Sequence, residues 1–447
     1  MELAGKRILV IGLGKTGLAV VRFLAGRNVD VVVTDEKSPA DLQRLMLSQG
    51  LQEAAQMAGY DLAALSGVDL VVPSPGVPPA NPILREAVRR GVPVISELEL
   101  AYRFLACPVI AITGTNGKTT TTTLAGEILK KAGKKVFVGG NIGDPLIGFV
   151  ARSQEADYAV VEVSSFQLQW CEQFRPAVAV LLNTTCDHVD YHGSFAAYRR
   201  AKERIFAKQT PGQLAILNAD EYSAAVPAPE IDAAIQYFSS TAPVDRGMFV
   251  APEGLVYTPG AGTREVYPLS MVGIPGRHNL ENIMSAVMIA RECGVAADEV
   301  IAAVTGFRGL SHRIQWAGEK GGVTFYDDSK GTNVGAVARA LESFSRPVLL
   351  LMGGRDKDGD FETLGPLIKE KVRELILFGE ARDRIDRALG GIVATGKTAT
   401  LREAVITAYG HASAGDIVLL SPGCASFDEF ANYGARGEFF QKVVSGL

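Results

Sequence analysis

The run Gly114-Thr115-Asn116-Gly117-Lys118-Thr119-Thr120 carries the residue types that hold a nucleoside triphosphate. Glycines let backbone N–H groups close around phosphate oxygens, Lys118 meets the β/γ charge, and a following hydroxyl reaches Mg²⁺. The run departs from the eight-residue Walker form, because Ile112 stands where the first glycine would be. A glycine turn with a capping threonine is the plainer reading. The context argues against it: an apolar strand at 108–113 precedes the run and a helical stretch through Lys131 follows it.

A second glycine-rich element, Gly12-Leu13-Gly14-Lys15-Thr16-Gly17, also follows a strand, and Asp35 ends the next strand 18 residues beyond Gly17. This is the spacing of a dinucleotide fold, with a pyrophosphate on a helix terminus and an acid near a ribose. Glycines needed only for strand-to-helix packing would leave the same trace. Glu162 closes the apolar stretch 158–163. That puts a carboxylate at the carboxyl edge of a parallel sheet, able to hold Mg²⁺ or to cap the next helix.

His188 follows the strand at 177–183 and is expected at the same edge as Glu162, whereas His192 reads as a surface histidine and His411 as incidental. On the helix expected at 194–208, Phe195, Tyr198, Ile205 and Phe206 share a face with Lys202. A lysine on a buried stripe either snorkels to water or serves a site. Burial favours the neutral amine, which can add CO₂ and become a carbamate able to ligate Mg²⁺. Further on, Asp327-Asp328-Ser329-Lys330, Gly353-Gly354-Arg355-Asp356-Lys357-Asp358 and Ser421-Pro422-Gly423-Cys424-Ala425-Ser426 each follow a strand. Each alone is turn chemistry; three together read as a binding face.

These residues need a scaffold of parallel sheets. Short β-rich runs alternate with helix-length segments along most of the 447 residues, the pattern of βαβ units and an α/β fold. The first block has strands at 7–12, 29–35, 68–72 and 92–96 around a helix from Thr16. The second has strands at 108–113, 158–163, 177–183 and 213–218, turns strand-rich after 233, and has a helix at 279–293. The third has strands at 323–326, 348–352, 375–378 and 417–420. With 45 Lys+Arg against 49 Asp+Glu, bulk charge disfavours nucleic-acid binding. Early charges at Glu2, Lys6 and Arg7 interrupt any signal-peptide core, and no run approaches a membrane span of about 18 apolar residues. Cys107, Cys171, Cys186, Cys293 and Cys424 have no ligand or disulfide spacing. A reduced, cytoplasmic protein is expected. Glycine, 48 residues, is about 11 % of the chain against a usual 7 %, which points to many tight backbone sites.

Assembled, the chain resembles the Mur ligases, the ATP-dependent amide ligases of peptidoglycan synthesis, over essentially its whole length. The pieces that carry the resemblance are Gly12 to Gly17, Ser74-Pro75-Gly76, the shortened phosphate loop, Asn141-Ile142-Gly143, Glu162-Val163-Ser164-Ser165, Asp187-His188, His278-Asn279, His312-Arg313, Asp328-Ser329-Lys330 and the stretch 421–437. The resemblance implies a Rossmann-like amino-terminal domain (1–97), a central P-loop mononucleotide-binding α/β domain (98–308) and a Rossmann-like carboxyl-terminal α/β domain (309–447). It implies UDP-N-acetylmuramoyl-L-alanine, D-glutamate and ATP as partners, no nucleic acid or membrane, and a monomer.

By position, the resemblance implies that Gly14, Lys15, Thr16, Asp35, Glu36, Ser74, Pro75 and Gly76 hold the UDP moiety, with Asn141 and His188 facing the same substrate. Gly114, Thr115, Asn116, Gly117, Lys118, Thr119 and Thr120 would bind ATP phosphates, and Asn279, Arg313 and Asp328 would complete the ATP site across a domain junction that closes during catalysis. Two Mg²⁺ ions are implied, one on Thr119 and Glu162, the other on His188 and an N6-carboxylysine at Lys202. Lys118, His188, Lys202 and Lys330 are the implied catalytic set. Thr332, Lys357, Ser426 and Tyr433 would line the incoming amino acid, with Tyr433 standing where phenylalanine is expected. Ligases for other amino acids and folylpolyglutamate synthase share much of this pattern. An NAD(P)-dependent oxidoreductase would rest on Gly12 to Gly17 and Asp35 alone and leave the phosphate loop unexplained. A non-catalytic nucleotide-binding module would leave Glu162, His188 and Lys202 without a reason to converge.

Overall fold

Parallel strands covered on both faces are apolar throughout rather than alternating, and the runs Val-Ile-Ala-Ile-Thr at 109–113 and Val-Ala-Val-Leu at 178–181 have that character and are wholly buried. In the computed structural model, which describes all residues except 52–54, 58, 153–154, 186, 223–227, 261 and 357–358, such runs build three sheets among the described residues. The chain divides into two compact units, Met1–Leu269 with Glu281–Ala303, and Ser270–Leu280 with Val304–Leu447. The first two sheets lie in the first unit.

The first sheet contains β1 (Arg7–Ile11), β2 (Asp30–Thr34), β3 (Gln56–Met57) and β4 (Leu70–Pro73), all parallel, in the order β3-β2-β1-β4. The chain moves from β1 to one side and then returns to the other, so the carboxyl end of β1 is a topological switch point. The expected strand at 92–96 is only an isolated bridge between Val94 and Val71. Pro93 lacks the N–H that a longer ladder would need.

The second sheet runs through β5 (Val109–Thr113), β6 (Val136–Gly140), β7 (Tyr158–Glu162), β8 (Val178–Leu181), β9 (Leu214–Asn218), β10 (Ala234–Ser239), β11 (Gly247–Ala251), β12 (Gly254–Thr258) and β13 (Glu265–Tyr267). Its order is β13-β12-β11-β10-β9-β8-β5-β7-β6, parallel from β6 to β11 and antiparallel beyond. β5 lies between β7 and β8, so its carboxyl end is a second switch point, where open α/β sheets take their ligands.

The second unit holds β14 (Gln315–Lys320), β15 (Val323–Asp327), β16 (Val348–Gly353), β17 (Val372–Phe378), β18 (Ala394–Lys397) and β19 (Ile417–Gly423), in the order β14-β15-β19-β16-β17-β18, with only β14 antiparallel among the described strands. β19 inserts between β15 and β16, which brings the loops after all three to one edge. No described helix is long and apolar enough to cross a membrane, and Cys107, Cys171, Cys293 and Cys424 are free thiols.

Candidate functional site

The phosphate loop leaves the carboxyl end of β5 and enters the helix Lys118–Lys131 through Gly117, whose φ of 84° is left-handed. A Cβ there would stand 2.2 Å from Asn282 Oδ1. Glycine is therefore required twice over, by conformation and by contact. The loop is clamped from β8's end by Asn183: its carbonyl accepts from the Thr115 N–H (2.9 Å), its Oδ1 accepts from the Asn116 N–H (2.9 Å) and its Nδ2 donates to the Asn116 carbonyl (3.1 Å). The start of the 14-residue helix leaves N–H groups directed at any anion placed there.

Two of the expected groups, Lys118 and Lys202, meet on this loop. Lys118 Nζ donates to the Gly114 and Thr115 carbonyls at 2.7 and 2.9 Å, and Lys202 Nζ donates to the same Gly114 carbonyl at 2.7 Å. Lys202 is 2 % exposed, so it does not snorkel. Burial first, and then the neighbouring Lys118 charge, push its pKa well below that of an ordinary lysine, against opposing pulls from Asp187 and Glu162. Its nitrogen lies 4.6 Å from the centre of the Tyr198 ring, while the Tyr198 hydroxyl is 3.1 Å from Thr115 Oγ1. Phe195, expected on the same buried face, is 40 % exposed; it opens the helix Phe195–Glu203, two turns away from Lys202.

Glu162, 2 % exposed at the end of β7, accepts from Thr119 Oγ1 through Oε2 and from Asn141 Nδ2 through Oε1, both at 2.8 Å. Thr119 and Glu162 thus present adjacent hard oxygens, a donor set that suits Mg²⁺ completed by water and phosphate oxygens. His188 sits in a left-handed conformation (φ 52°) with its ring 4.8 Å from Phe166 and 6.0 Å from Tyr198. The Tyr198 ring therefore touches both His188 and Lys202. His192 differs from a surface histidine: it stacks on Phe166 and its Nε2 is 3.0 Å from Ser165 Oγ. Gly114 and Asn116 lie in the same loop, and Thr120 is buried beneath it.

In the first sheet, Gly12 is left-handed (φ 85°), and a Cβ on Gly17 would come within 2.0 Å of the Gly12 carbonyl. Helix Lys15–Leu24 can approach β1 only because Gly17 has no side chain. Ser74 Oγ donates to the Gly12 carbonyl at 2.7 Å, so the Ser74-Pro75-Gly76 turn closes over the loop containing Gly14 and Thr16. Asp35 Oδ2 accepts from the Leu13 N–H at 2.6 Å. Although burial pushes its pKa up, bonds from the Leu13 and Lys37 N–H groups and the Lys37 ammonium bring it below the usual carboxylate value. The Asp35 carboxylate thus fixes the loop itself, while Glu36 accepts from the Tyr60 hydroxyl at 3.1 Å. Lys15 reaches the 140–144 turn instead of its own loop.

In the second unit, Asp328 is buried and its carboxyl is pushed up to about 7 by desolvation, against a 2.7 Å bond from Ser421 Oγ and the nearby Arg313. Asp327 Oδ2 binds His312 Nδ1 at 2.7 Å and Gln441 Nε2 at 2.8 Å. Asn279 donates to the Pro275 carbonyl at 2.6 Å, and burial, followed by the Arg339 and Arg313 charges, lowers the neighbouring His278 to about 4. Lys330 Nζ donates to the Tyr433 hydroxyl at 3.0 Å and sits 4.5 Å from that ring's centre. Arg436, fully buried, donates to Ser329 Oγ, the Ser329 carbonyl and the Cys424 carbonyl. The Arg355 and Ala425 backbones pair with each other at 2.8 and 2.9 Å, which ties the loop after β16 to the loop bearing buried Ser426. Thr332 is half-buried, and Lys357 lies outside the described residues.

Sequence reasoning missed Asn183, Asn282 and Arg436, and took Tyr198 only as an apolar neighbour. Asn183 had a signal, since it ends a strand at the Glu162 edge. Asn282 lies one turn from Asn279 on the helix Arg277–Glu292 and Arg436 stands between Ala435 and Gly437; their contacts depend on tertiary approach.

Comparison with known proteins covers the whole of this geometry. Residues 6–96 match the Mur ligase MurD-like N-terminal domain, 112–290 the Mur ligase middle domain, and 312–424 the Mur ligase glutamate ligase domain. A UDP-N-acetylmuramoylalanine--D-glutamate ligase of Syntrophus aciditrophicus is 58 % identical over 99 % of this chain and 98 % of its own length. A ligase of the same name from Acidobacterium capsulatum is 45 % identical over 99 % and 97 %. Among solved structures, a pseudomurein peptide ligase type C from Methanothermus fervidus (18 % identity, TM-score 0.60, 99 % and 100 % coverage) and a MurF ligase from Thermotoga maritima in complex with ADP (17 %, 0.61, 93 % and 95 %) share the fold. A phosphate loop with two lysines on one carbonyl, a hydrogen-bonded Thr119–Glu162 pair beside it and three consecutive domain matches have one common explanation: the chain belongs to the Mur ligase family.

Proposed function

We propose that this protein joins D-glutamate to UDP-N-acetylmuramoyl-L-alanine with cleavage of ATP, in the formation of peptidoglycan precursors. The observation that carries the reading is the relative of that name, 58 % identical along both full lengths. The alanyl carboxylate attacks the γ-phosphorus and ADP leaves; the D-glutamate amine then attacks the acyl-phosphate carbon, and the tetrahedral adduct loses phosphate and a proton to give the amide.

The chain's own groups perform the electrostatic part. Lys118 is held beside the loop by the Gly114 and Thr115 carbonyls, ready to offset repulsion between carboxylate and γ-phosphate. Lys330, with its ammonium fixed by Tyr433, would meet developing oxyanion charge. Mg²⁺, when bound, withdraws charge from the phosphoryl and carboxylate oxygens. Thr119 and Glu162 would hold one ion, and His188 with Lys202 a second. Lys202 would do so as a carbamate, its neutral amine bonding to CO₂ with loss of a proton. The Gly12–Gly17 loop with Ser74–Gly76 would take the UDP pyrophosphate, and Thr332, Lys357, Ser426 and Tyr433 the amino acid. We assign UDP-sugar, ATP and amino acid to domains bounded near residues 97 and 308, in a cytoplasmic monomer.

The test is phosphate release with ATP, UDP-N-acetylmuramoyl-L-alanine and a panel of amino acids. Release only with D-glutamate is expected. Release with another amino acid and not with D-glutamate would refute the substrate assignment.

A further inference from the structure

Lys15 opens the helix Lys15–Leu24, but its exposed ammonium donates to the Gly143 carbonyl and lies 3.4 Å from Asp144 Oδ1. Both partners belong to a turn that follows β6. The turn is closed by the Gly140 N–H donating to the Asp144 carbonyl at 2.8 Å, and Gly140 and Gly143 take left-handed φ values of 100° and 58°. A Cβ on Gly140 would stand 2.5 Å from the Glu162 carbonyl, so this turn is pressed against the end of β7. Between the two glycines, Asn141 donates its N–H to the Glu162 carbonyl (2.9 Å) and its amide to Glu162 Oε1 (2.8 Å), leaving Oε2 for Thr119 (2.8 Å). An unbroken path of bonds therefore runs from the glycine-rich loop of the first sheet to the carboxylate beside the phosphate loop of the second.

We propose that Lys15 is a positioning residue that couples these two sites: by holding the 140–144 turn, it makes the orientation of Glu162 depend on what occupies the first-sheet loop. The proposal rests on the reading above, in which that loop takes a diphosphate and Glu162 takes a divalent cation. A diphosphate at the start of helix Lys15–Leu24 lies beside the root of Lys15. It anchors the side chain, the side chain anchors Gly143 and Asp144, and the turn anchors Asn141 against Glu162. Linkage makes the effect reciprocal, so a cation on Glu162 tightens the nucleotide-sugar by the same factor. Lys15 and Asp144 side chains are 66 % and 50 % exposed. Such a pair contributes little to folding, and the coupling it can transmit is about two- to fivefold.

The experiment uses Mn²⁺ with ADP as the probe, free Mn²⁺ being read by electron paramagnetic resonance with and without UDP-N-acetylmuramoyl-L-alanine. The full-length protein should bind Mn²⁺ about two- to fivefold tighter when the nucleotide-sugar is present. Lys15→Met should reduce that factor to about one at an unchanged melting temperature, and Lys15→Arg should restore it. The same factor in Lys15→Met as in the parent, or no factor in the parent, would overturn the proposal. No turnover is involved, so failure here is distinct from a failed phosphate-release assay.

Discussion

Replacing Gly117 by alanine perturbs the phosphate loop at a point where two costs can be separated. The first is conformational: at φ 84° an L-residue is less stable than glycine by about 1–2 kcal/mol. The second is contact. The added Cβ would lie 2.2 Å from Asn282 Oδ1 and 3.2 Å from Leu182 Cδ1, so the Asn282 amide must move. Asn282 is 3 % exposed and its Oδ1 accepts from Thr121 Oγ1 at 3.3 Å; displacing it leaves buried polar atoms unsatisfied, at about 1–3 kcal/mol. The sum, about 2–5 kcal/mol, should lower the melting temperature by roughly 4–10 °C and raise the KM for ATP at least about tenfold, since 1.4 kcal/mol is tenfold in an equilibrium. Calorimetry and phosphate release measure the two effects. In an Asn282→Ala background the clash with the amide is gone, and Gly117→Ala should then cost little more than the conformational part, with the 3.2 Å approach to Leu182 Cδ1 remaining. The reasoning fails if Gly117→Ala melts like the parent, or if its penalty is the same in both backgrounds.

Lys202→Ala should abolish turnover at ambient CO₂, and a short carboxylate such as formate should restore part of it by occupying the vacated space as an anion. Full activity without the additive would refute the carbamate. Glu97, buried at the start of the helix Glu97–Tyr102, has its carboxyl pushed up to about 7 by desolvation, against a 2.7 Å bond from the Ile147 N–H and another from the Gln167 side chain. Because the folded value lies above the unfolded one, its contribution is present in acid and lost as pH rises through about 7. Relative to Glu97→Gln, the parent should therefore lose about 2 kcal/mol between pH 5.5 and 8.5; urea titrations of both at the two pH values check this, and parallel pH dependences would contradict it.

Much of the site was legible because parallel sheets impose a simple rule. Apolar strands such as 109–113 and 178–181 announce themselves by composition, and whatever polar residue follows them must emerge at the carboxyl edge. Thr119 and Glu162 were found that way and Lys202 by the apolar helix face it shares, and the structure brings Glu162 and Thr119 within 2.8 Å. The strands that were missed fail the same rule for stated reasons. β6 ends in Gly139-Gly140, which lack side chains because the turn behind them and the end of β7 approach within 2.5 Å. β14 and β18 are edge strands, with Gln315, Glu319 and Lys397 in place of an apolar run.

Asp35 marks where such reading stops. From spacing alone, an acid ending the strand after a glycine-rich loop belongs beside a ribose, because in that fold the side chain is free to face the ligand. Here the same residue at the same spacing accepts the Leu13 N–H at 2.6 Å and is flanked by Lys37. The difference is not in the motif. It lies in Lys37, two residues on, and in the Ser74 turn, which bonds the Gly12 carbonyl from the far side. With both ends of the loop pinned, the Leu13 N–H points at β2, and a carboxylate at its end is the nearest acceptor for a donor that would otherwise be buried unsatisfied. Glu36, the next residue, then becomes the exposed acid of this edge. Spacing specifies which sheet edge a side chain occupies; its partner is decided by groups brought there from elsewhere in the chain, the Leu13 N–H 22 residues from Asp35 and the Ser74 hydroxyl 62 residues from Gly12.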